Sequence, residues 1–327
     1  MSRSSVLKAL RREGGLVVGT GTSIVCKDLM AKLDTWFPQA HMEPEAMARL
    51  AIAGYTELGM DIVMPLFSVC HEASAMGCNV HWGGPEQMPE SGRPIFSSIE
   101  DIHVPADLLD RPGCKVPLKA IGLLRSRLGE DTAVCGKVFG PWTQAYHYFG
   151  VENFLMLTMD DASAVEQIME ALMPVTISFA RAQIDAGADC ILLGDHATRD
   201  LCSPASYERF LKPVHARLAK EINAPVILHI CGDTSDRIGM ISQTGLDSFH
   251  YDTKTGSPQK VRSLAGPGLA LMGGVSNYTL LRGSPQEISA MARQAVLAGI
   301  DIVGPECAVP LLTPIENLKA IREGVAS

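Results

Sequence analysis

Four stretches of the chain repeat one change of hydrophobic rhythm: Leu58-Gly59-Met60-Asp61-Ile62-Val63-Met64, Ala186-Gly187-Ala188-Asp189-Cys190-Ile191-Leu192-Leu193, Thr244-Gly245-Leu246-Asp247-Ser248-Phe249 and Ala298-Gly299-Ile300-Asp301-Ile302-Val303. In each, helix-like spacing gives way to glycine, and an apolar run begins two residues later. Glycine suits the left-handed residue that ends a helix, and an unbroken apolar run predicts a parallel strand buried on both faces. Helix-to-strand joints of one repeated type predict βα units. Further strands are predicted at Thr132-Ala133-Val134-Cys135-Gly136-Lys137-Val138, Pro225 to Ile230 and Gly268 to Gly274, with an eighth in Leu16-Val17-Val18-Gly19 or elsewhere in the less regular first third. Ser284-Pro285-Gln286-Glu287 and Thr313-Pro314-Ile315-Glu316 have the form of capped helix starts, and Ser203-Pro204 opens a helix running toward Glu221.

Seven or eight strands with helices between them predict an α/β chain of the TIM-type (β/α)8 class. No Gly-x-Gly-x-x-Gly follows a strand, which disfavours a doubly wound nucleotide-binding sheet. The expected organisation is a single barrel domain over residues 1–327, with residues 1–55 an N-terminal extension. Residues 69–117, broken by Gly83-Gly84-Pro85, Pro94 and Pro112-Gly113, form a long excursion over the rim.

Composition narrows the class without changing it. The chain is 46% hydrophobic and 20% charged with a net charge of −8, which fits a compact domain and argues against nucleic acid as a partner. No secretory or membrane-spanning run is present, so a cytoplasmic location with no membrane association is expected. Of the nine cysteines, Cys26, Cys70, Cys78, Cys114, Cys135, Cys190 and Cys202 read as buried reduced thiols.

Cys231 and Cys307 read differently. In Pro225-Val226-Ile227-Leu228-His229-Ile230-Cys231, strand periodicity puts the imidazole and the thiol on one side where the strand ends at Gly232. Cys307 closes Ile300-Asp301-Ile302-Val303-Gly304-Pro305-Glu306-Cys307 in the same way. Barrel chemistry gathers where strands end. One imidazole and two thiolates suit zinc, and three protein ligands leave a position open. The alternative is a buried histidine bonded to a carbonyl beside two inert thiols.

Other strand ends supply further candidates. In Gly194-Asp195-His196-Ala197-Thr198-Arg199-Asp200, Asp195 and His196 could act as an acid/base pair and Arg199 as an anion holder, or Asp195 could simply cap the loop. In Gly140-Pro141-Trp142-Thr143-Gln144-Ala145-Tyr146-His147, Gln144, Tyr146 and His147 could line a pocket under Trp142, although aromatic residues at such spacing also build cores. Asp252 is a candidate carboxylate at the mouth, and Asn277 a candidate hydrogen-bond donor.

Together these segments resemble the methylcobamide:coenzyme M methyltransferases, a branch of the uroporphyrinogen decarboxylase superfamily. The resemblance also takes in Phe37-Pro38-Gln39-Ala40-His41 and Met64-Pro65-Leu66-Phe67-Ser68-Val69. It implies a TIM barrel holding Zn2+ through His229, Cys231 and Cys307. It further implies transfer of a methyl group from a methylcob(III)amide, carried by a corrinoid protein, to a zinc-activated thiol such as coenzyme M. The opposite half-reaction, demethylation of a methoxy or methylamine donor onto Co(I), would use the same ligands. The chain lacks the Arg-Gln-Ala-Gly-Arg stretch with which uroporphyrinogen decarboxylases grip porphyrinogen carboxylates, so decarboxylation is not expected. It also has Asp252-Thr253 where the methyltransferase branch often has Asp-Glu, leaving the fourth zinc ligand open.

Overall fold

The computed structural model describes residues 2–327. Eight strands line the barrel: β1 (Val17–Val18), β2 (Ile62–Val63), β3 (Ala133–Phe139), β4 (Cys190–Gly194), β5 (Val226–Ile230), β6 (Ser248–Tyr251), β7 (Ala270–Val275) and β8 (Ile302–Pro305). They pair in parallel in the order β1-β8-β7-β6-β5-β4-β3-β2, with helices in the connections. Every strand residue is buried, as the unbroken apolar runs require.

The four repeated joints share a device that hydrophobicity alone does not reveal. Gly59, Gly187, Gly245 and Gly299 take φ of 67°, 115°, 83° and 78°, the left-handed turn that ends each preceding helix. Two residues later, the carboxylates of Asp61, Asp189, Asp247 and Asp301 accept the backbone N–H of Val18, Val134, Val226 and Leu271 at 2.9, 2.8, 2.9 and 2.9 Å. Each aspartate's own N–H donates back to the same residue's carbonyl, at 2.7, 2.7, 3.1 and 3.1 Å. These clamps join β1 to β2, β3 to β4, β5 to β6 and β7 to β8 at their N-terminal ends. At the β1–β2 seam, where each strand is only two residues long, the Asp61–Val18 clamp fastens the barrel.

Two boundaries expected from the sequence shift. Residues 1–55 are not an extension: they contain β1, and the helices Lys27–Leu33, Gln39–Met42 and Pro44–Thr56 belong to the β1–β2 crossover. Among the described residues, the helix Arg3–Leu10 alone precedes β1, and Arg3 and Arg12 reach Asp189 and Asp301 at 2.5 and 3.1 Å on the N-terminal side. The rim excursion contains the helix His71–Met76 and a small antiparallel ribbon, Val80–His81 with Glu90–Ser91. It ends at Arg111, because Pro112 already opens the crossover helix Pro112–Leu128.

Ser284 and Glu287 form the expected capping box. At the other predicted start the helix begins at Ile315, and Asp28 of the helix Lys27–Leu33 accepts the Ile315 N–H at 3.1 Å, so Thr313 does not serve as the cap. Gly304 is indispensable for packing: a Cβ there would lie 2.1 Å from the Gly19 carbonyl oxygen. Gly304→Ala should therefore force β8 away from β1 and lower unfolding stability by about 1–3 kcal/mol in urea titrations.

Candidate metal centre

His229 lies within β5 and Cys231 just beyond it, so the pleat sends both side chains to the same side. The chain turns away at Gly232, whose φ is 81° and whose N–H donates to Asp252 Oδ2 at 2.8 Å. Cys307 follows β8. Glu306 braces its loop, accepting the Asn277 N–H at 2.6 Å, the Thr253 N–H at 2.8 Å and the Thr253 hydroxyl. Asn277 Nδ2 donates to the Ala308 carbonyl at 2.7 Å.

These braces bring three soft donors together. His229 Nε2 is 3.1 Å from Cys231 Sγ, which is 3.4 Å from Cys307 Sγ, and all three atoms lie within 4.8 Å of one another. The other ring nitrogen, Nδ1, is 3.1 Å from the His250 carbonyl. A carbonyl only accepts, so Nδ1 carries the proton and the Nε2 lone pair points toward the thiols. The His250 ring packs 4.4 Å from that of His229 and donates its Nε2 proton to the Pro305 carbonyl at 2.8 Å, linking β6 to β8. Burial keeps His250 neutral, far below the usual imidazole range.

The thiols are electrostatically unequal. The hydrogen bond from Cys307 holds Cys231 below the ordinary thiol range, while the same contact and burial push Cys307 upward. Burial opposes the His229 cation, yet the adjoining Cys307 sulfur and the His250 carbonyl raise its pKa overall. A thiol pair and an oriented imidazole form a donor set that fits zinc. Burial raises Cys70, Cys78 and Cys202 to about 11, as inert structural thiols require.

The donors border a cavity of about 230 Å³ with an apolar wall of Phe67, Met88, Phe139 and Leu192. Met88 belongs to the rim excursion, which therefore reaches over the mouth. His196 also lines the cavity, and its position is fixed on both sides: its N–H donates to Thr143 Oγ1 at 2.7 Å and its carbonyl accepts the Tyr146 hydroxyl at 3.2 Å. Burial lowers its pKa.

Other sequence candidates lie behind or outside this space. Asp195 is fully buried; Oδ1 accepts the Thr143 N–H and hydroxyl at 2.8 and 2.9 Å, and Oδ2 faces His215 Nε2 at 3.1 Å. It is thus a brace for the helix Pro141–Phe149 and is separated from the cavity, while Asp252 holds Gly232 and the Lys254 N–H. Asp195 meets His229 only through the backbone, its N–H donating to the His229 carbonyl at 3.0 Å, and the ring takes its orientation from the His250 carbonyl. Trp142 packs edge-on to Phe154 with centroids 5.0 Å apart, and Gln144 donates to the Phe139 carbonyl and Thr176 Oγ1 at 2.8 and 2.7 Å, so both are core residues. Tyr146 acts on the cavity only through His196. His147 pairs with Ser91 of the rim ribbon at 2.7 Å, and Arg199 is exposed and bonded to Asp233 at 2.9 Å.

Sequence reading missed Lys137, Glu306 and His250. Glu306 and His250 adjoin recognised strand ends, but their partners come from other loops. Lys137 left a direct trace, a charged residue inside the apolar run of β3.

A parallel barrel brings one imidazole and two thiols together at its strand ends, where they could hold a metal ion, and the chain belongs to the uroporphyrinogen decarboxylase (URO-D) family, matching it over residues 6–327. Within that family it is a methyltransferase. It is 34% identical over 295 residues to a methylated-thiol--coenzyme M methyltransferase of Methanosarcina mazei, covering 90% of this chain and 80% of the relative. It is 32% identical over 305 residues to the methylcobamide:CoM methyltransferase MtaA of Methanosarcina barkeri, covering 92% and 89%. The solved structure of a methyltransferase from Methanosarcina mazei superposes with a TM-score of 0.95 at 32% identity, covering 98% of this chain and 97% of the other.

Proposed function

We propose that this enzyme transfers a methyl group from a methylcobamide, presented by a corrinoid protein, to a small thiol such as coenzyme M. The observation that carries this reading is the convergence of His229 Nε2, Cys231 Sγ and Cys307 Sγ at one end of a small, largely apolar cavity. The names of its relatives supply the methyl donor and acceptor classes.

His229, Cys231 and Cys307 would hold zinc, which when bound lowers the pKa of a substrate thiol while leaving its sulfur nucleophilic. The chain's own residues prepare the place for that sulfur. The His250 carbonyl keeps the proton of His229 on Nδ1, so the Nε2 lone pair stays available to a metal ion. Glu306 and Asn277 fix the Cys307 loop, and Asp252 fixes the turn after Cys231. Phe67, Met88, Phe139 and Leu192 exclude water from the route between thiol and methyl group. During transfer the substrate sulfur bonds to the methyl carbon as the cobalt–carbon bond breaks, with that bond's electron pair remaining on cobalt. The corrinoid ring cannot enter a 230 Å³ space, so its carrier must dock over the rim where Met88 lies.

Purified protein incubated with methylcobalamin and 2-mercaptoethanesulfonate should form methylated thiol and Co(I), followed by the corrinoid spectrum; no methylated product with any small thiol would sink the proposal. The demethylating half-reaction draws specific support from the relative named for methylated thiols. Co(I) corrinoid given dimethyl sulfide or methanethiol would become methylated if that reading is right. Asn277→Ala should lower zinc affinity about 10–100-fold in chelator competition while leaving the fold intact, because it removes a brace and no ligand.

A further inference from the structure

Lys137 is the charged residue in Ala133-Val134-Cys135-Gly136-Lys137-Val138-Phe139, the apolar run of β3, and is 6% exposed. It borders the same cavity as the three soft donors. Among the described residues its ammonium makes no hydrogen bond or ion pair; it sits over the Phe139 ring, 5.7 Å from the centroid, with Glu72 in the surroundings. Glu72 Oε1 is already engaged, accepting the Phe139 N–H at 2.7 Å. An ammonium has three protons to donate, and a buried one left without acceptors carries a desolvation cost that a bound anion would offset.

The cavity lining carries two kinds of group. His229 and Cys231 enter from β5 and Cys307 from β8, whereas Lys137 enters from β3, beyond β4 in the barrel order. Thr22 and Ser23, from the loop after β1, add hydroxyls to the lining, and Ser23 Oγ accepts the Val25 N–H at 3.4 Å, leaving its own proton to donate. Arg199 cannot fill the same role, since it is exposed and bonded to Asp233. At about 230 Å³ the space falls below the ~300–1,000 Å³ of pockets for drug-sized ligands.

We propose that Lys137 binds the acidic group of the substrate thiol, so that this cavity selects small thiols bearing a sulfonate or carboxylate, with sulfur at the His229, Cys231 and Cys307 end and the anion at the Lys137 end. The assignment rests on the thiol-acceptor reading above and adds the residue that sets its selectivity.

The test is calorimetric titration of zinc-loaded protein with 2-mercaptoethanesulfonate, 3-mercaptopropionate and neutral 2-mercaptoethanol, in the parent, Lys137→Met and Lys137→Arg. The parent should bind at least one acidic thiol about tenfold or more tightly than 2-mercaptoethanol, the factor expected from one charge-assisted hydrogen bond. Lys137→Met should bring acidic and neutral thiols to similar affinity, and Lys137→Arg should keep part of the preference. The tighter of the two acids identifies the anion the site is built for. Equal affinities in the parent, or a preference that survives in Lys137→Met, would overturn the assignment. The neutral thiol separates the two readings: if it binds as tightly as the acids, Lys137 alone is misassigned, and if no thiol binds the parent, the thiol-acceptor function itself is lost. The parent titration decides between these outcomes even if Lys137→Met does not fold.

Discussion

Zinc at about one ion per chain is expected in the parent protein and in neither His229→Ala nor Cys307→Ala, and methyl transfer from methylcobalamin to thiol should fall at least a hundredfold in both, by about the factor or more that losing even a supporting contact carries. The reason lies in the donor count. Three protein atoms within 4.8 Å of one another form the site, so removing one leaves two ligands and two open positions. His229→Ala also frees the His250 carbonyl and empties the space against the His250 ring. Cys307→Ala leaves the braced loop intact, because Glu306 and Asn277 hold it through groups other than the thiol. Cys114→Ala, which removes a buried thiol in the helix Pro112–Leu128, should keep its zinc. Elemental analysis with activity on the same preparations decides the matter, and full zinc in both ligand variants would falsify the proposed centre.

The second large effect concerns stability. Asp189→Ala should lower unfolding free energy by about 2–4 kcal/mol, chiefly because the buried Val134 N–H loses its carboxylate acceptor. The ion pairs to Arg3 and Arg125 add less, since both guanidinium groups are partly exposed. Asp189→Asn, which keeps one acceptor oxygen, should recover part of the loss. Urea titration followed by far-ultraviolet dichroism measures both, and a change below about 0.5 kcal/mol in Asp189→Ala would refute the clamp's importance.

The barrel was legible because its signals are local. Left-handed glycines and uninterrupted apolar runs lie within a few residues of each other, and strand periodicity places His229 beside Cys231 without knowledge of the rest of the chain. Their meeting with Cys307 follows once both strands belong to one barrel. The supporting residues were less legible because their roles depend on contacts far apart in sequence. Asp195 stands beside His196 in the chain, yet one faces Thr143 and His215 while the other faces the cavity. Trp142 and Gln144 lie on a helix that turns them into the core, where they pack against Phe154 and bond to Phe139. The first strand was readable at Leu16-Val17-Val18-Gly19, yet at two residues it is too short to mark where the barrel begins, and residues 1–55 were grouped as an extension.

The Asp61, Asp189, Asp247 and Asp301 clamps all act at the end of the barrel opposite His229, Cys231 and Cys307. What fastens this protein is therefore spatially separate from what gives it chemistry, and the loops on the chemical side can change without loosening the closure. Evolution and protein engineering share that freedom: the β5 and β8 loops can be exchanged for others to redirect the reaction, whereas the four aspartates are the positions a transplanted design must keep.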